Sequence, residues 1–203
     1  MGRSLPARLG RFNALPPQGT LFRRSPMAVM DTAANPNAQT TIVLVGLMGA
    51  GKSSVGRRLA VRLGRPFFDA DTVIEAEAGQ SISEIFASRG EACFRRLERQ
   101  VIGRLLAERG QVLATGGGAF MDPETRALIA AGAVSVWLRA EIDILLQRVM
   151  RRDNRPLLKQ GDPREILSRL IAERYPVYAK ADITVDSTNG PHDVVVRDIL
   201  QAL

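Results

Sequence analysis

Gly46-Leu47-Met48-Gly49-Ala50-Gly51-Lys52-Ser53 fills every fixed position of the pattern G-x-x-x-x-G-K-[ST]. The flanking segments give the match a structural context. Before it, Thr41-Ile42-Val43-Leu44-Val45 is a continuously apolar, largely β-branched run, as expected of a parallel strand buried on both faces. After it, Val55, Leu59 and Leu63 recur at helical spacing. Strand, glycine-rich turn and helix in this order predict a phosphate-binding loop. Glycines let backbone N–H groups close on phosphate oxygens, and the helix N-terminus adds its positive dipole end. Gly49, Ala50, Gly51, Lys52, Ser53 and Ser54 are therefore the expected contacts of a nucleoside triphosphate such as ATP. Lys52 is placed to reach the β- and γ-phosphates, and the Ser53 hydroxyl to ligate Mg²⁺. The loop does not identify the phosphoryl acceptor, because motors, GTPases and metabolite kinases share it.

Beyond the loop, strands alternate with helices. Pro66-Phe67-Phe68 predicts a second strand, ending in Asp69-Ala70-Asp71. A helical region broken by Gly79 and Gly90 follows, with Phe94, Leu97, Val101 and Leu105 at helical spacing in its second half. Gln111–Ala114, Val134–Leu138 and Ile183–Val185 predict three further strands. Asp122-Pro123 reads as an N-cap and first turn, and helices are expected near 141–150, 164–180 and 191–202. The alternation predicts an α/β domain over residues 41–203: a doubly wound, five-stranded parallel sheet with flanking helices and ligands at the carboxyl ends of its strands.

Residues 1–40 differ in kind. They lack strand or helix periodicity, are punctuated by five prolines, and read as a disordered basic extension. Either an organellar transit peptide or a translation start set too early, with Met27 and Met30 just before the domain, fits this stretch. Its five arginines against one acid contribute +4 of the net charge of +7. The basic pI of about 10.6 thus describes mostly the tail, which argues against a nucleic-acid-binding domain. No apolar run approaches the roughly 18 residues of a membrane span. A single cysteine, Cys93, excludes an internal disulfide and fits a reducing, cytoplasmic setting. No apolar stripe is left over from the core, so a monomer is expected.

Several groups are candidates for the acceptor side. Asp69 and Asp71, two apart on an extended segment, share one side of it; they can hold Mg²⁺ through water and take a proton from the acceptor hydroxyl, or simply cap the next helix. Arg95 and Glu98 stand at i and i+3, either as an exposed pair of little consequence or as an acid steadying a guanidinium that grips a carboxylate. Gly116-Gly117-Gly118 directly after a strand lets backbone approach a ligand. Residues 148–160 hold Arg148, Arg151, Arg152, Arg155 and Lys159 against Asp153, which suits a mobile lid over a triphosphate and equally a solvated loop. His192, the only histidine, is expected at the surface, and Cys93 and Trp137 in packing.

Together these elements resemble the shikimate kinase family over about residues 41–203. The loop reads G-L-M-G-A-G-K-S-S. Phe68-Asp69-Ala70-Asp71 is similar to the family's F-x-D-x-D motif, Phe94-Arg95-Arg96-Leu97-Glu98 to F-R-x-x-E, and Thr115–Gly118 to its glycine triplet. Arg155-Pro156-Leu157-Leu158 resembles its lid signature, and Arg174-Tyr175-Pro176-Val177-Tyr178 its R-x-P-x-Y segment. The resemblance implies a P-loop fold like that of the nucleoside monophosphate kinases, with a mobile lid, using ATP and Mg²⁺ to phosphorylate the 3-hydroxyl of shikimate. It implies that Asp71 holds the acceptor hydroxyl and that Arg95 and Arg174 bind the substrate carboxylate. Gly117 and Gly118 would contact substrate through the backbone, Arg155 would stabilise the transferring phosphate, Asp69 would support Mg²⁺ and Arg148 would pack on adenine. Where many members place a basic residue after the fifth strand, Ser187-Thr188-Asn189-Gly190-Pro191 carries no arginine. Kinases of gluconate or of nucleoside monophosphates, and a non-catalytic nucleotide-binding module, are the competing readings.

Overall fold

The computed structural model describes residues 40–151 and 161–203. Residues 1–39, nearly all of the expected extension, lie outside the described residues, as do residues 152–160 of the expected lid, among them Arg152, Arg155 and Lys159. The elements run β1 (Thr41–Val45), α1 (Lys52–Leu63), β2 (Phe67–Asp69), α2 (Ala70–Ala78), α3 (Ile82–Ala107), β3 (Val112–Ala114), a 3₁₀ turn (Ala119–Met121), α4 (Pro123–Gly132), β4 (Ala133–Arg139), α5 (Ile142–Met150), α6 (Pro163–Tyr178), β5 (Ile183–Asp186) and α7 (His192–Ala202).

The five strands form one parallel sheet in the order β2-β3-β1-β4-β5. β1 is central: Val43 pairs with Leu113 of β3 on one side and Ser135 of β4 on the other. Helices cover both faces, so Ile42, Val43, Leu44 and Val45 are at most 2% exposed, which accounts for the unbroken apolar run. Because the strands are parallel, the segments that leave β1, β2 and β3 emerge on one edge of the sheet. The chain passes from β1 to β2 and returns through β3 before crossing to β4, which opens a crevice at that edge.

The glycines expected to interrupt the second helical region do so. Gly79 ends α2 at φ 62°, and Gly90 breaks α3 at φ 75°, ψ 168°. Ser81 and Glu84 close a reciprocal capping box at the start of α3. α2 and α3 enclose a small core of their own around Ile74, Ile85, Phe94 and Val101. Asp122 caps α4, accepting from the N–H groups of Glu124 and Thr125, with Pro123 in the first turn.

Gly56 shows how tightly α1 lies on the sheet. A Cβ there would stand 2.5 Å from the Phe67 ring and 3.1 Å from Leu44. Gly56→Ala is expected to lower stability by about 1–2 kcal/mol despite alanine's better helix propensity, because overpacking outweighs that gain. Urea unfolding checks this, and an unchanged or raised midpoint would contradict it.

Candidate active site

The sheet edge opens into a cleft of about 990 Å³. Its floor is the phosphate loop. Gly46, Gly49 and Gly51 all have positive φ (137°, 83° and 95°), and a Cβ on Gly46 would strike the Leu138 carbonyl at 2.7 Å. Gly49, Gly51, Lys52, Ser53 and Ser54 line the cleft; Ala50 is buried and contributes only its backbone. Lys52 folds over the loop, its Nζ donating to the carbonyls of Gly46 (2.8 Å) and Leu47 (3.0 Å). The ammonium is thus held where phosphate oxygens would meet it.

Asp69 ends β2 beside this floor. Its Oδ2 accepts from Ser53 Oγ at 2.5 Å and its Oδ1 from the Asp71 N–H at 3.2 Å. The strand stops at Asp69, and Asp71 is the second residue of α2, so the expected alternation along an extended segment does not hold. Asp69 acting as N-cap turns the chain into helix immediately, and that turn still delivers both carboxylates to the cleft. Burial, reinforced by Asp69, pushes the Asp71 carboxyl up to about 6, while Lys52 pulls the other way. A carboxyl poised there is suited to take a proton near neutral pH.

Arg95 is anchored rather than loose. Its Nη1 donates to Glu98 Oε2 at 2.7 Å, and Glu98 is 2% exposed. Of the two readings of this pair, the buried anchor is the one found. Burial pushes the Glu98 carboxyl up and Arg95 pulls it back only in part; burial would lower Arg95, but Glu98 and Glu91 hold the guanidinium firmly charged. The opposite edge of the guanidinium, Nε and Nη2, contacts the exposed Glu91 Oε1 at 3.3 and 3.1 Å. A contact of that kind is worth little and yields readily to a competing carboxylate.

The glycine triplet fits between these groups, and at Gly116 and Gly118 space rather than φ is what requires glycine. A Cβ on Gly116 would lie 2.5 Å from Glu98 Oε1 and 2.8 Å from Asp71 Oδ1, and one on Gly118 would overlap the Arg95 guanidinium. The Gly117 carbonyl accepts from Arg174 Nη1 at 3.0 Å and from the hydroxyl of Tyr178, which is fully buried. Burial pushes the Tyr178 phenol up to about 12, so it remains a donor at any working pH. Arg174 Nε, itself buried, has no partner among the described residues.

The cleft thus brings together Lys52, Ser53, Asp69, Asp71, Arg95, Gly117, Gly118, Arg148 and Arg174. Arg155 lies outside the described residues. Among the described residues no three His, Cys, Asp or Glu side chains gather into a cation cage. Several lining groups escape a reading of the sequence. Phe86, its ring tilted 36° to that of Phe94 with centroids 4.7 Å apart, and Ile82 form an apolar wall; only the α2–α3 packing brings them to the cleft. His192 is not at the surface as expected. It is half-buried, packs beside Gly51 and is held below its ordinary value by burial and then by Arg148. No helix among the described residues is long and apolar enough to cross a membrane.

The sequence model of shikimate kinases matches residues 48–203. Shikimate kinase of Paramagnetospirillum magneticum is 60% identical over 163 residues, covering 80% of this chain and 84% of that relative. Shikimate kinase of Caulobacter vibrioides is 61% identical over the same length, covering 80% and 82%. Among solved structures, shikimate kinase from Acinetobacter baumannii in complex with shikimate superposes with a TM-score of 0.78 at 40% identity, covering 80% of this chain and 92% of that one. On this fold, this cleft and these relatives, the chain belongs to the shikimate kinase family of ATP-dependent kinases.

Proposed function

We propose that the chain transfers the γ-phosphate of ATP to the 3-hydroxyl of shikimate, giving shikimate 3-phosphate and ADP. The observation that carries this reading is the convergence of Asp71, the anchored Arg95 and the Arg174–Gly117 contact in the cleft that the phosphate loop also lines. A small hydroxylated acid fits that layout. Arg95 and Arg174 take its carboxylate, Phe86 and Phe94 lie near its ring, and Asp71 accepts the proton of the attacking hydroxyl. The backbone of Gly117 and Gly118 offers further contacts. Lys52 and the loop N–H groups orient the triphosphate, so that positioning and charge neutralisation supply most of the rate. Arg148 lines the nucleotide side, and the family lid signature assigns Arg155 to the transferring phosphate.

Ser53 Oγ and Asp69 Oδ2, 2.5 Å apart beside the phosphate loop, are hard oxygen groups that would hold Mg²⁺, the hydroxyl directly and the carboxylate through water. When bound there, Mg²⁺ supplies charge neutralisation at the β- and γ-phosphates. The large apolar side chains left exposed among the described residues, Val61, Leu128, Met150 and Leu203, sit on separate elements, which supports a monomer. A pathway enzyme of the cytoplasm agrees with this reading.

Arg95→Met tests the carboxylate contact. Losing a charge-assisted pair is expected to raise the KM for shikimate by roughly 10–100-fold. The KM for ATP should stay within about twofold, since Arg95 lies on the acceptor side. An unchanged shikimate KM would remove Arg95 from the acceptor site.

A further inference from the structure

Ser187, directly after β5, is 1% exposed although Thr188, Asn189 and Gly190 beside it are open to solvent. Its backbone N–H donates to the Arg139 carbonyl at 2.6 Å, prolonging the β4–β5 ladder by one bond. Its hydroxyl donates to the Ala50 carbonyl at 2.8 Å and accepts from Arg148 Nη1 at 2.9 Å. The same Nη1 reaches the Gly49 carbonyl at 3.2 Å, and Nη2 donates to the Thr188 carbonyl. One hydroxyl and one guanidinium therefore hold two successive carbonyls of the phosphate loop from outside.

We infer that Ser187 is a positioning residue for nucleotide binding: by holding the Ala50 carbonyl outward it aims the Gly51 N–H into the cleft, and it ties Arg148 to the loop. The geometry follows from the peptide group. A planar trans peptide points its N–H opposite to its C=O, so an Ala50 carbonyl fixed on the far side turns the Gly51 N–H toward the phosphates. Gly51 sits at φ 95°, open to glycine without strain, and Arg148, His192 and Ser187 stand 3.7–3.8 Å from where its Cβ would be. A hydroxyl suits this place because it donates and accepts at once. Ser187 does not line the cleft; it acts through the loop backbone and Arg148.

This inference rests on the phosphate loop binding ATP, so binding is measured apart from turnover. ADP with Mg²⁺ is titrated calorimetrically into wild type, Ser187→Ala and Ser187→Thr, and KM values for ATP and shikimate are taken for each. Ser187→Ala should weaken ADP binding and raise the ATP KM by roughly 5–30-fold, as expected for losing a hydrogen bond to a charged partner and one to a carbonyl. The shikimate KM should stay within about twofold, and Ser187→Thr, which restores the hydroxyl, should recover most of the ADP affinity. If Ser187→Ala does not fold, Ser187→Cys, similar in size but a weak donor, takes its place. Equal ADP affinity in the folded variant, an equal rise in both KM values, or no recovery with threonine would overturn the inference while leaving the proposed function standing. Wild type that binds no ADP would overturn both.

Discussion

Lys52→Met is expected to lower kcat by about three orders of magnitude while leaving the shikimate KM nearly unchanged. The Lys52 ammonium is held directly over the phosphate loop, tethered to the Gly46 and Leu47 carbonyls. In phosphoryl transfer the protein's task is to orient and to neutralise charge that spreads over the γ-phosphoryl oxygens, and a preorganised cation does both. Methionine keeps much of the length and packing of lysine, so the loss isolates charge from shape. A kcat within tenfold of wild type would show that the loop backbone alone carries the effect.

The second large effect is expected at Asp71. Asp71→Asn should reduce kcat by about 10²–10⁴-fold, the usual worth of a positioned base, with both KM values within a few-fold of wild type. Its ionisation gives two further readouts. The wild-type kcat/KM for shikimate should rise with pH and level off above about 6, since the carboxyl, pushed up to about 6 by burial and by Asp69, must lose its proton before it can accept one. That limb should be absent in the asparagine variant.

Stability should move the opposite way. A carboxyl raised from 3.8 to about 6 on folding binds its proton more tightly in the native state. Between these values stability falls as pH rises, and above about 6 the buried charge is a standing cost. Asp71→Asn should therefore be more stable than wild type at pH 7, with the advantage shrinking below pH 6 and gone below about 4. Thermal unfolding across this range measures it. A variant less stable than wild type at pH 7 would mean that Asp71 is fully compensated by its neighbours.

Much of this site could be read along the chain because its parts are local. The phosphate loop, the capping aspartate before Pro123 and the breaks at Gly79 and Gly90 depend on residues a few positions apart, and each appears as the pattern implies. The Arg95–Glu98 pair was legible as a spacing but not as a buried anchor, since Glu98 is enclosed by Gly116 and Asp71 from other segments. Asp71 reached its place by a helix start rather than by strand alternation, because a three-residue strand ends too soon for period two to reach it.

Ser187 and His192 carried no local signal of a place beside the phosphate loop, and Tyr178 showed only as the last residue of the R-x-P-x-Y segment. Tyr178 meets Gly117 from the far end of α6, and Ser187 and His192 reach the phosphate loop from beyond β5. A separation of 137 residues between Ser187 and Ala50 is closed only because β4 lies between β1 and β5. The glycine triplet illustrates the same limit. Its excess of glycine was visible, but the reason at Gly116 and Gly118 is steric pressure from Asp71, Arg95 and Glu98, none of which is their neighbour in sequence.

The measurement that bears most directly on the central claim is a coupled ADP-release assay with MgATP, offering shikimate, gluconate and nucleoside monophosphates in turn to the wild-type protein. Saturable turnover is expected with shikimate and background rates with the others, because two arginines suit a carboxylate, which nucleoside monophosphates lack, and the Phe86–Phe94 wall suits a ring, which gluconate lacks. Turnover with gluconate or a nucleotide but not with shikimate, by protein that binds ATP, would contradict the claim.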